Sequence, residues 1–304
     1  MKIKDLLQKA KSKLKDFSPS PDLDVEILLS FVLKKNREFI LSNLEEEISK
    51  KEEQKFNQLL ARRIAGEPVA YLTSLKSFYG RDFKVTKDTL IPRPETESLI
   101  EKTLEYLHKE LYPSRKSFII DLGTGSGCIL ITLAKEIFKN SAFSAKKENL
   151  NFIGTDISPK ALEIAKKNQE ILIPEEKIIF LKSNLLDFLN KKRHDFENSQ
   201  VIITANLPYL SKEIYQNCPK SVLDFEPKTA LFAEKEGLGL YLKLLEQVKI
   251  KKLDKIAYNL YLIFEISPEQ KPIAEEVFKE IIPEARLKFS KDLAGKWRFI
   301  EILF

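Results

Sequence analysis

The sequence predicts an α/β protein, a doubly wound, mostly parallel seven-stranded sheet preceded by a small N-terminal helical domain. Two observations carry this. From Ser117 onward, short apolar runs alternate with amphipathic stretches, the pattern of parallel strands covered by helices. Before about residue 75, apolar residues recur only at helical intervals. A length of 304 residues suits two domains, and 43% hydrophobic content supplies a core large enough to exclude disorder, collagen-like repetition and disulfide-stapled mini-folds.

Taken in order, residues 1–77 read as the helical domain. Met1–Phe17 carries Ile3, Leu6, Leu7, Ala10 and Leu14 on one face; Val25, Leu28, Leu29 and Val32 form a second helical pattern, and Phe56, Leu59, Leu60 and Ile64 a third, with Pro19, Pro21 and Pro68 as punctuation. Residues 78–100 read as a linker with short extended pieces such as Phe83-Lys84-Val85. It holds the turn Ile91-Pro92-Arg93-Pro94-Glu95-Thr96-Glu97, where each residue before a proline is pushed away from helix. Residues 101–304 form the α/β domain. Its expected strands are Phe118–Leu122, Phe152–Asp156, Ile178–Leu181, Val201–Ala205, Leu260–Ile266, Leu287–Phe289 and Phe299–Phe304. Its expected helices are Cys128–Phe138, Lys160–Ile171, Gly239–Lys249 and Pro268–Ile281, and the polar stretch Asn140–Asn149 reads as an inserted loop.

Composition narrows the function classes. The net charge is +6, yet 42 of the 51 basic residues are Lys and 9 are Arg. Nucleic-acid readers lean on Arg for bidentate contacts, so the excess reads as solvated Lys and no stable nucleic-acid binding is expected. Cys128 and Cys218 stand far apart, and His108 and His194 sit alone in charged stretches, which argues for a reducing compartment and against a metal site. Cys128, at a helix start, reads either as an activated thiol or, the preferred reading, as a small core residue. No stretch reaches the roughly 18 apolar residues of a membrane helix, and the Lys-rich start lacks the apolar run of a signal peptide. A monomeric cytoplasmic protein is expected.

The first chemical signal is Asp121-Leu122-Gly123-Thr124-Gly125-Ser126-Gly127, between the first strand of the α/β domain and its helix. Glycines there let a ligand approach the backbone in the crevice at a strand's carboxyl end. The spacing G-x-G-x-G differs from the dinucleotide G-x-G-x-x-G, and the Lys of a phosphate loop is absent, so a nucleoside ligand without a pyrophosphate is favoured. Asp156 ends the next strand, 33 residues after Gly123, where an acid can accept both hydroxyl hydrogens of a ribose. Asp121 reads either as a contact to the ligand or as a turn cap.

The second signal is Asn206-Leu207-Pro208-Tyr209, after the strand Val201–Ala205. An amide or exocyclic amine has its nitrogen lone pair delocalised, so methylating it requires that the group be held with that lone pair facing an electrophilic carbon. The Asn206 side-chain carbonyl and the Leu207 backbone carbonyl, set by Pro208, supply two acceptors for the two N–H groups, and Tyr209 can pack against the plane. On this reading only the carbonyl of Leu207 is used, and its N–H is dispensable. A lone Asn-x-Pro is an ordinary strand-ending turn; its place downstream of the glycine turn and Asp156 reverses that preference. The tetrad holds no titratable base, which suits transfer from a sulfonium, whose charge is dispersed as the methyl moves.

These residues resemble a class I S-adenosylmethionine-dependent methyltransferase, and specifically the release factor glutamine methyltransferase family. The likeness covers essentially the whole chain: Ile91–Glu97 is similar to that family's I-P-R-P-x-T-E, and Gly66-Glu67-Pro68 with Tyr71-Leu72, and Phe225-Glu226-Pro227 with Thr229-Ala230-Leu231, resemble further elements. The resemblance implies that Gly123, Thr124, Gly125, Ser126, Gly127, Asp156, Leu185 and Asn206 bind S-adenosyl-L-methionine. It implies that Asn206, Leu207, Pro208 and Tyr209 hold the substrate, with Asn206, Pro208 and Tyr209 catalytic. The implied substrate is the glutamine of the Gly-Gly-Gln motif in class-1 peptide chain release factors, with residues 1–77 recognising the partner. Two departures stand out. Leu207 replaces the first proline of the usual Asn-Pro-Pro-Tyr, and Ser183-Asn184-Leu185 replaces Ser-Asp-aromatic. Asn-Leu-Pro-Tyr also occurs in ribosomal RNA adenine dimethyltransferases, and the ribosomal protein glutamine methyltransferases are similar, so both stand as alternatives, with a catalytically silent nucleotide-binding adaptor as a third. The roles of Glu226 and Asn184 stay open.

Overall fold

In a computed structural model, residues 1–112, 114–141, 143, 148–191 and 193–304 are described. A hairpin of β1 (Leu75–Phe78) and β2 (Arg81–Lys84) precedes β3 (Ser117–Leu122), β4 (Leu150–Asp156), β5 (Ile178–Lys182), β6 (Gln200–Ala205), β7 (Asn259–Glu265), β8 (Arg286–Lys291) and β9 (Trp297–Leu303). Among the described residues the last seven form one sheet in the order β5-β4-β3-β6-β7-β9-β8. β9 runs antiparallel to β7 and β8, and the other pairs are parallel. Every residue of β3 and β6 is buried, the reason their sequences are nearly unbroken apolar runs. Side chains alternate between two cores: Phe118, Ile120, Leu122, Val201 and Ile203 enter one, Ile119 and Ile202 the other.

The strand order reverses at β3, with β4 on one side and β6 on the other. The carboxyl ends of these strands therefore frame the crevice where open α/β sheets bind ligands. Helices Cys128–Lys139, Pro159–Leu172, Gly239–Ile250 and Lys271–Ile281 form the crossovers, close to the positions read from sequence.

The stretch expected to be a linker is more structured than that reading. Pro94 opens a one-turn helix, Pro94–Thr96, where its missing N–H has no intrahelical partner to lose. A helix Glu97–Glu110 follows, burying Leu99, Ile100, Thr103, Tyr106 and Leu107. Asn168 ties the hairpin to the glycine turn. Its Oδ1 accepts from the Lys84 N–H at 2.7 Å, and its Nδ2 donates to the carbonyls of Lys84 at 3.0 Å and Ser126 at 2.8 Å. Of the expected loop Asn140–Asn149, residues 142 and 144–147 lie outside the described residues, and Phe143 is buried.

The chain divides into two compact units, residues 1–75 with 219–225, and residues 76–218 with 226–304. In the first, helices Ile3–Leu14, Pro21–Leu33 and Lys50–Ile64 bury Leu6, Leu28 and Phe56. Ser49 and Glu52 close a reciprocal capping box on the last of these. Arg63, buried, donates through Nε to Asp24 at 2.7 Å, and the Ser18 hydroxyl donates to the same carboxylate. The helix Lys220–Phe225, distant in sequence, groups with this unit. Among the described residues no helix is long and apolar enough to cross a membrane.

Candidate active site

A cleft of about 400 Å³ opens at the carboxyl ends of β3, β4 and β6. Of the residues singled out from sequence, Gly123, Gly125, Asp156, Leu185, Asn206, Leu207 and Pro208 line it, and Thr124, Ser126, Gly127 and Tyr209 do not.

The three glycines of the turn all have positive φ, but they serve different ends. A Cβ on Gly125 would meet nothing closer than 3.9 Å, so it would project into open space along the cleft wall. A Cβ on Gly123 would stand 3.0 Å from Leu207 Cδ2, so this glycine lets the tetrad sit against the turn. A Cβ on Gly127 would strike Ile131 Cδ1 at 2.8 Å and Ala165 Cβ at 3.2 Å; Gly127 allows two helices to pack and is away from the ligand wall. Thr124 and Ser126 are buried. The Thr124 hydroxyl donates to Asp121 Oδ2 at 2.7 Å and that of Thr204 to Oδ1 at 2.9 Å. Of the two readings left open for Asp121, the turn-bracing one fits its geometry, with both oxygens engaged and 1% exposure. Burial pushes its carboxyl up to about 7.

Asp156 ends β4 at the cleft. Its Oδ2 accepts from the Gly125 N–H at 3.0 Å and its Oδ1 from the Ser158 N–H at 2.8 Å. Each carboxylate oxygen keeps a further lone pair for a hydroxyl donor. Burial raises this carboxyl above its ordinary value, and the backbone N–H groups of Ser158, Gly125 and Ile157 oppose the rise. Leu185, buried with φ +54°, and Asn184 line the same wall.

The tetrad follows β6. Asn206 Nδ2 donates to Thr96 Oγ1 and to Glu265 Oε2, each at 3.0 Å. The Thr96 hydroxyl donates to the same Oε2 at 2.7 Å, and the Tyr209 hydroxyl donates to Oε1 at 3.2 Å. Glu265, at the end of β7 and 1% exposed, thus gathers three donors; its burial raises the carboxyl above its ordinary value despite them. Asn206 keeps its side-chain carbonyl for the cleft it lines. Tyr209, expected beside the substrate, has its hydroxyl on Glu265 and its ring against the sheet's core.

The Leu207 N–H, expected to be dispensable, has a partner in this structure. It donates to the buried Tyr241 hydroxyl at 3.2 Å, which in turn donates to the Glu265 backbone carbonyl. The Leu207 side chain is also 3% exposed. Residue 207 is therefore held by its own N–H and side chain, where a proline would be held by ring geometry alone.

Several contributors escaped sequence reasoning. Thr96 and Glu265 were not singled out, nor was Gly237, whose φ of +81° brings its Cα so close that a Cβ would lie 2.0 Å from the Tyr209 carbonyl oxygen. Gln270, 3% exposed, donates through Nε2 to that oxygen and to the Glu236 carbonyl, each at 2.8 Å. Glu226 gains a definite place: it pairs with Arg93 Nη2 at 2.5 Å and accepts from the Ile91 N–H at 3.2 Å, bracing the Pro-rich turn. The following residues Pro227, Thr229 and Ala230 line the cleft, as do Lys87 through Leu90.

Catalysis by cysteine or histidine finds no support in this geometry. The Cys128 thiol is buried and pushed up to about 12, opposite to an activated thiol. His108 and His194 are exposed, His194 against Glu197. Among the described residues no group of three or more His, Cys, Asp or Glu could hold a metal ion.

Residues 5–73 match the family described as PrmC N-terminal domain, and residues 113–255 match a methyltransferase domain. A release factor glutamine methyltransferase of Bacillus cereus is 32% identical over 90% of this chain and 90% of its own. One from Buchnera aphidicola subsp. Baizongia pistaciae is 41% identical over 79% of this chain and 78% of its own. A bifunctional methyltransferase of Rickettsia conorii is 33% identical over 98% of this chain, which spans 57% of that longer protein. On identities of this size over most of both sequences, the chain belongs to the release factor glutamine methyltransferase family.

Proposed function

We propose that this S-adenosylmethionine-dependent protein methyltransferase acts on the side-chain amide nitrogen of the glutamine in the Gly-Gly-Gln motif of class-1 peptide chain release factors. The observation that carries the proposal is the held Asn206: its amide nitrogen is tied to Thr96 and Glu265, so the side chain offers its carbonyl oxygen at the cleft, beside a glycine wall and a carboxylate. The residues fit the cofactor. Gly125 leaves open, along the cleft wall, the space a side chain would fill, Asp156 offers acceptors for two ribose hydroxyls, and Leu185 and Ala161 give an apolar wall for a base. When bound, the cofactor supplies an electrophilic methyl group.

The chain's own part is positional. The Asn206 side-chain carbonyl and the Leu207 backbone carbonyl would take the two N–H groups of the glutamine amide and aim its nitrogen at the methyl group, an orientation that contributes much of a rate enhancement. Leu207, Pro208 and Leu240 supply apolar surface that excludes water while positive charge disperses. The helical unit is proposed to recognise the body of the release factor, because ordering an isolated peptide costs about 1–2 kcal/mol per backbone residue. A monomer acting in the cytoplasm, without stable nucleic-acid binding, completes the proposal.

The test is to incubate the enzyme with isotopically labelled cofactor, an intact release factor and ribosomal RNA together. Label mapped by mass spectrometry to the Gly-Gly-Gln glutamine is the expected result. Label in RNA adenine, with the glutamine unmodified, would overturn it.

A further inference from the structure

We propose that Thr96 and Glu265 make the active site selective for an amide over a carboxylate, by holding the Asn206 side chain in one of its two flip states. The inference rests on the release-factor reading above and adds the residues that determine acceptor choice.

An asparagine amide has nearly the same shape in either orientation, but its two ends have opposite hydrogen-bonding character. With Oδ1 toward the cleft it matches the donor NH2 of glutamine. With Nδ2 toward the cleft it would offer donors, the match for a glutamate carboxylate. What lies behind the side chain decides between them, and here it is a carboxylate and a hydroxyl whose one hydrogen is engaged by that carboxylate. The Thr96 hydroxyl has one hydrogen, directed at Glu265 Oε2 at 2.7 Å, so it meets Asn206 Nδ2 with lone pairs at 3.0 Å. Glu265 Oε2 accepts from the same Nδ2 at 3.0 Å. Tyr209 steadies the carboxylate by donating to its other oxygen at 3.2 Å.

A flipped Asn206 would set Oδ1 against the Glu265 carboxylate, and the Thr96 hydroxyl could donate to it only by giving up its hydrogen bond to Glu265 Oε2. Thr96 is 2% exposed and Glu265 1%, so bulk water offers no relief. The three groups come from three elements, the one-turn helix Pro94–Thr96, the segment after β6, and the end of β7. Thr96 and Glu265 are positioning residues: they act through Asn206.

The test compares wild type, Thr96→Val and Thr96→Ser, using a release factor with Gly-Gly-Gln as substrate and the same factor carrying Gly-Gly-Glu as inhibitor. Valine keeps the shape and removes the hydroxyl. Thr96→Val should lower kcat about tenfold with little change in KM, and strengthen inhibition by the Gly-Gly-Glu factor about tenfold, as expected when a polar site loses its fixed hydrogen-bond sense. Thr96→Ser should return both to within about threefold of wild type. Cofactor affinity, measured by titration calorimetry, should be the same in all three and shows that each is folded. A folded Thr96→Val enzyme with wild-type kcat and unchanged glutamate discrimination overturns the proposal while wild-type labelling of glutamine leaves the functional reading intact. Wild type that leaves the glutamine unlabelled overturns that reading, and this proposal with it. A measurement needing no variant is hydrogen exchange at the Asn206 side-chain NH2 in wild type: slow exchange supports the lock, and exchange at the rate of an exposed amide overturns it.

Discussion

A methyl group added at residue 237 would have to displace the active-site tetrad. Gly237 has φ +81°, and the Cβ of an alanine there would lie 2.0 Å from the Tyr209 carbonyl oxygen, 2.7 Å from its carbon and 2.4 Å from Gln270 Nε2. Two of these atoms are backbone, and the third is pinned between the carbonyls of Tyr209 and Glu236 at 2.8 Å each. None can yield cheaply, so relief requires Tyr209 to retreat by at least about 1 Å, the gap between 2.0 Å and the 3.0 Å below which a Cβ is essentially never found. Left-handed backbone for alanine costs about 1–2 kcal/mol, and losing both Gln270 hydrogen bonds costs about 1 kcal/mol each. Gly237→Ala should therefore lower stability by roughly 3–4 kcal/mol, read from the shift of the urea unfolding midpoint. Tyr209 is three residues from Asn206, so the retreat moves the tetrad, and an ångström of misplacement lowers a rate by about 10²-fold. Cofactor affinity should hold, because Gly237 is not on the cleft. The assay pairs release-factor methylation with calorimetric titration of S-adenosylmethionine. A folded Gly237→Ala enzyme with wild-type kcat would refute the reasoning, since it would show that Tyr209 can move without disturbing Asn206.

Asn206→Ala and Asp156→Ala should fail in opposite ways. The first should cut kcat by about 10²-fold or more with cofactor affinity retained; the second should weaken cofactor binding by about 1.5–3 kcal/mol through loss of charged hydrogen bonds, and equal calorimetric affinities for the two variants would contradict both assignments. Leu207→Pro removes the N–H that meets Tyr241, so its unfolding midpoint should drop by the equivalent of about 0.5–1.5 kcal/mol, and a variant as stable as wild type would show that this hydrogen bond contributes nothing. Asp121 titrates at about 7 when folded against an ordinary value of 3.8, so the folded state binds the extra proton between those values. Its contribution to stability is greatest below the ordinary value and is lost as pH rises through about 7. Asp121→Asn should flatten the stability profile across that window, measured by urea unfolding at several pH values, and an unchanged slope would rule Asp121 out as its source.

The strands were legible because their constraint is local: Phe118–Leu122 and Val201–Ala205 must be apolar at nearly every position once both faces are covered, the exceptions Asp121 and Thr204 being hydrogen-bonded to each other. The glycine turn was legible for the same reason, since positive φ at residues 123, 125 and 127 is a requirement each residue meets alone. What that requirement serves was not legible. The same letter at Gly125 opens a cleft wall and at Gly127 admits Ala165. Gly237 sits in Lys235-Glu236-Gly237-Leu238-Gly239, which reads as a turn, and only the fold brings Tyr209 against it.

Glu265 was hidden more thoroughly. In Phe264-Glu265-Ile266 it reads as the polar end of an apolar strand, and its partners are 59 and 169 residues away at Asn206 and Thr96. Thr96 was in view, but inside a Pro-rich turn whose prolines point to extended chain and away from a buried helix start. A motif such as Asn206-Leu207-Pro208-Tyr209 states which groups can meet a substrate, because that depends on residue type alone. Which end of the Asn206 amide meets it depends on the hydrogen-bonding sense of what is packed behind, and that is settled by long-range pairing. The donor or acceptor character of residues 96 and 265 therefore decides the chemistry of residue 206.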